Sequence, residues 1–252
     1  MRIAAIYDIH GNFPALQAVV AEISKASIDL ILVGGDVIAG PMPVETLQLL
    51  EKTSKKIPMQ FIHGNAESEL IRFVNGKDIN GLTKNSEAIT HWLAKELNSE
   101  QIEFISTWAK IRQLKLDNGK EILFCHATPD NDIDIFTQLS LESELIPVFK
   151  NLKASIVICG HTHMQFDREI ANIRVINAGS VGMPFGHTGA DWLIIDNEIS
   201  FMHSDYNLEK AAISIRKTNY PQADQFANNN VLNSVSKTTA LKMLSQLAAN
   251  QK

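Results

Sequence analysis

Met1-Arg2-Ile3-Ala4-Ala5-Ile6-Tyr7-Asp8-Ile9-His10-Gly11-Asn12-Phe13-Pro14 opens the chain. The apolar run Arg2–Tyr7 reads as a strand, and Asp8-Ile9-His10 interrupts it with two polar side chains. Phe13–Ala26 then repeats apolar residues at helical spacing, with Pro14 near its start. The pattern recurs at once. Leu30–Val33 is a second apolar strand, ended by Gly35-Asp36-Val37-Ile38-Ala39-Gly40 and followed by a helix over Val44–Lys55. Met59–His63 is a third strand, ended by Gly64-Asn65. Strand and helix alternating through short connections imply βαβ units with parallel pairing. The polar groups fall after the carboxyl ends of the strands, where open α/β sheets place their ligand sites.

Downstream, residues from about Ala66 to Ala109 read as a helical insertion lying over the sheet or the mouth of the site. Ile111–Leu116 and Glu121–Phe124 flank Asp117-Asn118-Gly119, a hairpin signal. Leu139–Leu152 is read as a helix and Ser155–Cys159 as a strand. Two further hairpins are expected, Gln165–Ile170 with Arg174–Ile176 and Ala190–Ile195 with Glu198–Met202, so the second half is expected to be mainly antiparallel. A helix from about Leu208 to Lys217 precedes a polar stretch, Tyr220–Thr239, read as a loop or linker, and Thr239–Ala249 is read as a short closing helix. The expectation is one α/β domain over residues 1–252, built from two packed mixed sheets.

Two more polar clusters end apolar runs: Cys125-His126 and Gly160-His161-Thr162-His163. With the first three they supply Asp8, His10, Asp36, Asn65, His126, His161 and His163, the side-chain types that hold a pair of divalent metals. Asp36, anionic and set between Gly35 and Gly40, suits a ligand shared by two ions. Asn65 adds a neutral carbonyl oxygen. Mixed nitrogen and oxygen donors suit Mn2+, Fe2+, Zn2+ or Ni2+, with Mn2+ favoured, rather than an all-oxygen cage for Mg2+ or Ca2+. Two such ions would outweigh the two carboxylates, attract a phosphate anion and supply hydroxide near neutral pH for an in-line displacement. Each motif alone is weak, since an Asp-x-His or a Gly-Asp turn is commonly only a turn. The ordered set points to a two-metal hydrolase.

That order, with Asn177-Ala178-Gly179-Ser180 after the last ligand, resembles the calcineurin-like metallophosphoesterase superfamily, and within it the small bacterial and archaeal phosphodiesterases. The resemblance implies a four-layer α/β/β/α sandwich. It also implies Asp8, His10, Asp36 and His163 around one metal, with Asp36, Asn65, His126 and His161 around the other. Two departures stand out. The family's frequent His after Gly-Asn is Ala66 here, and the Arg that its phosphoprotein phosphatases carry after the bridging Asp is missing from Val37-Ile38-Ala39. Both weigh against a phosphoprotein phosphatase.

The other candidates have plainer readings beside them. Asn12 could contact a phosphate oxygen, with Asp36 and Asn65 as catalytic partners, or could simply cap the helix at Phe13. His63, Glu67 and His187 are candidates for a proton donor. They also fit a strand-end histidine, a solvated helix-start glutamate and a solvent-facing loop histidine. His91 and His203 carry no site signal. Cys125 and Cys159 read as buried reduced thiols rather than soft metal ligands, and no disulfide is expected.

Bulk properties fit this reading. The 252 residues carry 45% hydrophobic and 20% charged side chains and a net charge of −5, which disfavours an extensive nucleic-acid interface. Apolar runs are too short to span a bilayer, and no export signal precedes Asp8, so a cytoplasmic location is expected. The expected function is hydrolysis of a small phosphorylated substrate, such as a nucleotide or dinucleotide. A protein phosphatase and a metal-binding interaction scaffold are the alternatives.

Overall fold

A computed structural model describes residues 1–79 and 83–251. Residues 80–82, inside the expected helical insertion, and Lys252, at the end of the expected C-terminal segment, lie outside the described residues. The chain begins β1 (Ile3–Ile6), α1 (Phe13–Ile23), β2 (Leu30–Val33), α2 (Pro43–Ser54) and β3 (Met59–Phe61). The expected insertion resolves into α3 (Asn65–Val74), α4 (Lys84–Glu96) and α5 (Ser99–Ser106). Next come β4 (Ile111–Lys115), β5 (Glu121–Cys125), α6 (Glu142–Phe149), β6 (Ile156–Cys159), β7 (Phe166–Ile170) and β8 (Ile173–Asn177). The chain finishes with β9 (Ala190–Ile195), β10 (Ile199–Ser204), α7 (Leu208–Arg216), α8 (Ala223–Phe226) and α9 (Lys237–Asn250).

The strands form two five-stranded sheets, ordered β10-β9-β1-β2-β3 and β4-β5-β6-β8-β7. β1 pairs β2 in parallel from Ile3↔Leu30 to Ile6↔Val33. Both faces of β1 are covered, which is why it reads as an unbroken apolar run. Ile3, Ala5 and Tyr7 face Phe124, Ile158 and Ile176 of the second sheet, while Ala4 and Ile6 face Leu16 and Val19 of α1. The Tyr7 hydroxyl donates to the Ile158 carbonyl at 3.1 Å, a bond from one sheet to the other. α1, α2, α4 and α5 pack on the outer face of the first sheet, and α6 covers the second through Leu145 and Phe149. Helix, sheet, sheet, helix is the expected four-layer order. Each fully buried Leu, Ile or Val in these layers is worth about 1.5–3 kcal/mol relative to exposure.

One expectation is refined and one changes. The second half is mainly antiparallel, as expected from its three hairpins, but not wholly so, because β5, β6 and β8 pair in parallel. The α6 crossover returns the chain to the same edge direction, so these strands form a second parallel unit. The stretch Tyr220–Thr239 is also not a loop. α8 runs into a π-helical turn, Ala227–Leu232, and α9 begins at Lys237. Tyr220, Phe226, Ala227 and Val231 are buried against Ala211, Ala212 and Ile215 of α7. Phe226 and Val231 are five apart, a spacing that shares a face in a π-helix and is missed by a search at 3.6-residue period.

Candidate metal centre

Every expected ligand sits just past a strand or in the turn it enters. Asp8 and His10 follow β1, Asp36 follows β2 and Asn65 follows β3; His126 follows β5, and His161 and His163 follow β6. The β1 and β2 turns lie side by side, joined by Asp8 N–H to Gly35 O (3.1 Å), His10 N–H to Asp36 O (2.8 Å) and Gly11 N–H to Val37 O (2.8 Å). Their contact is too close for side chains on both. A Cβ on Gly40 would lie 1.7 Å from the His10 carbonyl oxygen. Asp8, His10, Asp36, His161 and His163 all have positive φ, between 49° and 65°. Such backbone costs a non-glycine residue about 1–3 kcal/mol and clusters at functional sites.

The side chains gather in two adjoining groups, Asp8 with His10 and His163, and Asp36 with His126 and His161; in each the ligand atoms lie within 4.8 Å of one another. Asp36 stands between them, with Oδ2 3.7 Å from His10 Nε2 and Oδ1 3.6 Å from His126 Nε2. His10 Nε2 faces His163 Nε2 at 3.0 Å, and His161 Nδ1 faces His126 Nε2 at 3.2 Å. One terminal atom of the Asn65 amide lies 3.1 Å from His161 Nδ1 and 3.3 Å from Asp36 Oδ2. With nitrogen there, the amide donates to both and its oxygen accepts from Ala66 N at 3.2 Å; with oxygen there, it joins Asp36 as an acceptor facing the same point, as a ligand to a cation would. The amide nitrogen then points to Glu69 Oε1 at 3.4 Å. Asp8 Oδ1 and His163 Nδ1 are buried and lack a hydrogen-bond partner among the described residues. Unpaired buried carboxylate oxygen is costly, and its 3.4 Å approach to His163 Nε2 fits a shared positive ion. The residues therefore fit a divalent pair.

Electrostatics follow from this crowding. Burial opposes the Asp8 charge, but the imidazoles of His163, His126 and His10 outweigh it and hold the carboxyl at about 2. Burial and then the neighbouring His126 lower His161 to about 4. Burial and His163 likewise lower His10. For His126, burial is outweighed by Asp36 and Asp8, and the group is raised. Neutral imidazole is the form that binds metal. His126 Nδ1 donates to Gly34 O at 2.9 Å and His10 Nδ1 to Ala39 O at 3.1 Å, leaving Nε2 of each as the free lone pair.

The remaining candidates are not among these converging side chains. Asn12 is fully buried; its Oδ1 accepts from Ala15 N (3.3 Å), and its Nδ2 donates to Gly182 O (2.9 Å) and Tyr206 Oη (3.1 Å). Both ends of that amide are engaged, and it lines neither cavity beside the site. Glu67 is not solvated. Its Oε2 accepts from Asp36 N and Gly64 N and its Oε1 from Val37 N and Ile38 N, at 2.8–3.2 Å. Burial, then the Asp36 charge, pushes it up to about 7 against the Gly64 and Val37 backbone donors. Its place is under the Asp36 turn, holding it. His63 meets Ile105 O at 2.9 Å. His187 pairs with Asp191, away from the centre. Cys125 and Cys159 are buried free thiols, raised chiefly by burial.

Two cavities open from the centre. One, of about 730 Å³, runs from Asn65 and His126 past His63 to Arg72 and Lys110. The other, of about 410 Å³, runs from His10, Asp36 and Asn65 along α4 to the C-terminal segment. Glu69 lines both, and burial followed by the Asp36 charge pushes it up to about 7. Nothing in the sequence marks it, because one exposed-looking Glu two residues after another in a helix carries no signal.

Comparisons with known proteins agree with this geometry. A family model described as the calcineurin-like phosphoesterase superfamily domain matches residues 1–199. A protein of Methanocaldococcus jannaschii is 27% identical over 241 residues, 87% of this chain and 94% of that one. A symmetrical bis(5′-nucleosyl)-tetraphosphatase of Baumannia cicadellinicola is 27% identical over 146 residues, 56% of this chain and 48% of that one. A crystal structure from Pyrococcus horikoshii shares the fold with a TM-score of 0.78 at 17% identity, over 90% of this chain and 97% of that one. The chain belongs to the calcineurin-like phosphoesterase superfamily, a family of phosphoester hydrolases. No helix among the described residues is long and apolar enough to cross a membrane.

Proposed function

We propose that this chain is a metal-dependent phosphodiesterase acting on a small phosphorylated molecule, a nucleotide or dinucleotide, with Mn2+ the favoured ion. The observation that carries the reading is the convergence of seven side chains with ligand-type atoms, with an Asp8 carboxylate oxygen left unpaired among them. Asp8, His10, Asp36 and His163 would hold one ion; Asp36, Asn65, His126 and His161 would hold the other. Bound there, two divalent ions polarise a phosphoryl oxygen and make water acidic enough to react near neutral pH.

The rest is done by the chain. Asp36 sets the spacing of the two groups, and Glu67 fixes Asp36 through the backbone of its turn. Gly34 O and Ala39 O hold His126 and His10 in the metal-binding tautomer. Asn12 anchors the Asp8–Gly11 turn to α1 and to Gly182, supporting the site without touching substrate. The named activity of the Baumannia relative and the mixed-charge cavity beside His126 support a nucleotide substrate. The two reduced, buried cysteines are in keeping with a cytoplasmic protein.

The test is hydrolysis of bis(p-nitrophenyl) phosphate by protein loaded with Mn2+, alongside metal analysis. Two ions per chain and measurable turnover are expected. Asp36→Asn is expected to lower kcat/KM by more than about 100-fold, the upper end of what a residue merely supporting a metal ligand costs. Unchanged turnover in Asp36→Asn would overturn the assignment.

A further inference from the structure

The smaller cavity has a wall that the family match does not reach, since that match ends at residue 199. From the metal side it begins at His10, Asp36 and Asn65, and its far end is built by Gln222, Gln225, Asn229 and Asn230. Its volume of about 410 Å³ falls in the range of about 300–1,000 Å³ that encloses small organic ligands. The π-helical turn shapes this end. Phe226, Ala227 and Val231 are buried against α7, and the Asn233 N–H reaches back to Asn228 O at 3.1 Å. π-Helical turns recur at functional sites.

The four amides differ from their neighbours. Asn228 Oδ1 accepts from Arg216 Nη2 at 2.6 Å, and Asn233 Nδ2 donates to Asn228 O at 2.9 Å. Gln222, Gln225, Asn229 and Asn230 have no side-chain hydrogen bond among the described residues. Each therefore offers both a donor and an acceptor to the cavity. The titratable residues lining this cavity are His10, Asp36 and Glu69 at its metal end, and Tyr220. Among the described residues no Lys or Arg lines the far end, so it offers no cationic partner to an anion. Ile89 and Leu93 of α4 and Phe226 supply apolar walls. A flat uncharged ring fits these together: its faces meet hydrocarbon and its edge meets amides, whereas a sugar would present hydroxyls to the apolar walls.

We infer that Tyr220–Val235 forms a subsite for the base of a nucleotide whose phosphate lies at the metal centre. This rests on the phosphodiesterase reading and deepens it. Asn and Gln amides can pair two-fold with the donor and acceptor edge of a base such as adenine. The segment is tied to the catalytic side as well. Gly186 N–H donates to Val235 O at 2.8 Å and Ser234 Oγ to Pro184 O at 2.7 Å, and the intervening Phe185 ring lies 5.5 Å from that of His163. Base and phosphate would thus be held by one continuous wall.

The experiment compares ligands that differ only in the base. Calorimetric titration of the Mn2+-loaded protein with the four common nucleoside 5′-monophosphates and with ribose 5-phosphate gives a base preference as a ratio of affinities. At least one nucleotide is expected to bind about tenfold or more tightly than ribose 5-phosphate, as one or two well-placed amide contacts would give. In Gln225→Ala and Asn229→Ala, both exposed positions, that ratio is expected to fall several-fold, with Tm within a degree or two confirming the fold. Equal affinity for all five ligands, or a ratio untouched in both variants, would sink the subsite. Failure of bis(p-nitrophenyl) phosphate hydrolysis would instead sink the enzymatic reading, and the affinity ratio would still report on the subsite.

Discussion

His161 shows in one residue what this site demands. Its φ is 65°, a conformation that costs an L-residue about 1–2 kcal/mol and glycine little. The strain is tolerated because His161 N–H is held by Asp8 Oδ2 at 2.8 Å and the imidazole must face His126. Two substitutions separate ligation from backbone. His161→Ala and His161→Gly are both expected to lose metal, but the glycine variant should melt at a higher temperature than the alanine variant, by about 1 kcal/mol of stability. Equal melting temperatures would mean the left-handed turn is not formed. The convergence of the seven candidate side chains was legible in the sequence, because their clusters end apolar runs with polar groups that have no business in a strand. Glu67 was not. A glutamate in the first turn of a helix looks solvated, and only the folding of the β2 turn onto α3 reveals four backbone N–H groups aimed at it.

Among the elements, the paired strands β9 and β10 carry a second polar cluster that the sequence did not disclose. Asp191 and His203 are cross-strand partners, and His187 arrives from the preceding loop. Asp191 is buried, with Oδ1 2.9 Å from both His187 Nε2 and His203 Nδ1. His203 also approaches Asp205 at 3.7 Å. The hydrogen bond to Asp191 raises His187, against burial and with help from the Asp191 charge. A raised folded-state value means that the stabilisation is complete below the unfolded value of about 6.5 and is lost as pH rises through the folded one. His187→Ala is therefore expected to lower Tm more at pH 5.5 than at pH 9. A Tm difference that does not change with pH would show that the pair contributes nothing through its charge. Spacing in the chain hid this cluster, since a strand register rather than a motif brings the groups together. The C-terminal segment was hidden for a related reason. Its few apolar residues are spaced for a π-turn and sit among asparagines, so the polar composition was read as loop.

At the scale of the whole molecule, the centre sits at the shared edge of two sheets. Asp8, His10, Asp36 and Asn65 come from turns of the first sheet, and His126, His161 and His163 from turns of the second. The strands β1, β2 and β6 were legible as unbroken apolar runs, the pattern of a doubly covered sheet, whereas the four-layer order was implied only by the resemblance to the family. A metal pair held at that seam would bind the folded chain and not the unfolded one, so its binding energy would add to the stability of the whole. At free metal about 100 times Kd, each site would contribute about 2.7 kcal/mol. For a chain of this size that is a rise of roughly 5–10 °C in Tm per site. Without metal, the convergent imidazoles and the unpaired Asp8 oxygen would stay buried against one another, at a cost to the fold. Chelation is therefore expected to lower Tm by at least that amount, with Mn2+ restoring it in a concentration-dependent way. Hydrogen exchange should show lost protection first in the turns after β1, β2 and β6, before the Tyr7–Ile158 contact between the sheets. Asp36→Asn should melt like the chelated wild type and gain little on adding Mn2+. A melting temperature indifferent to metal in the wild-type protein would show that the seven side chains do not act together as a metal site.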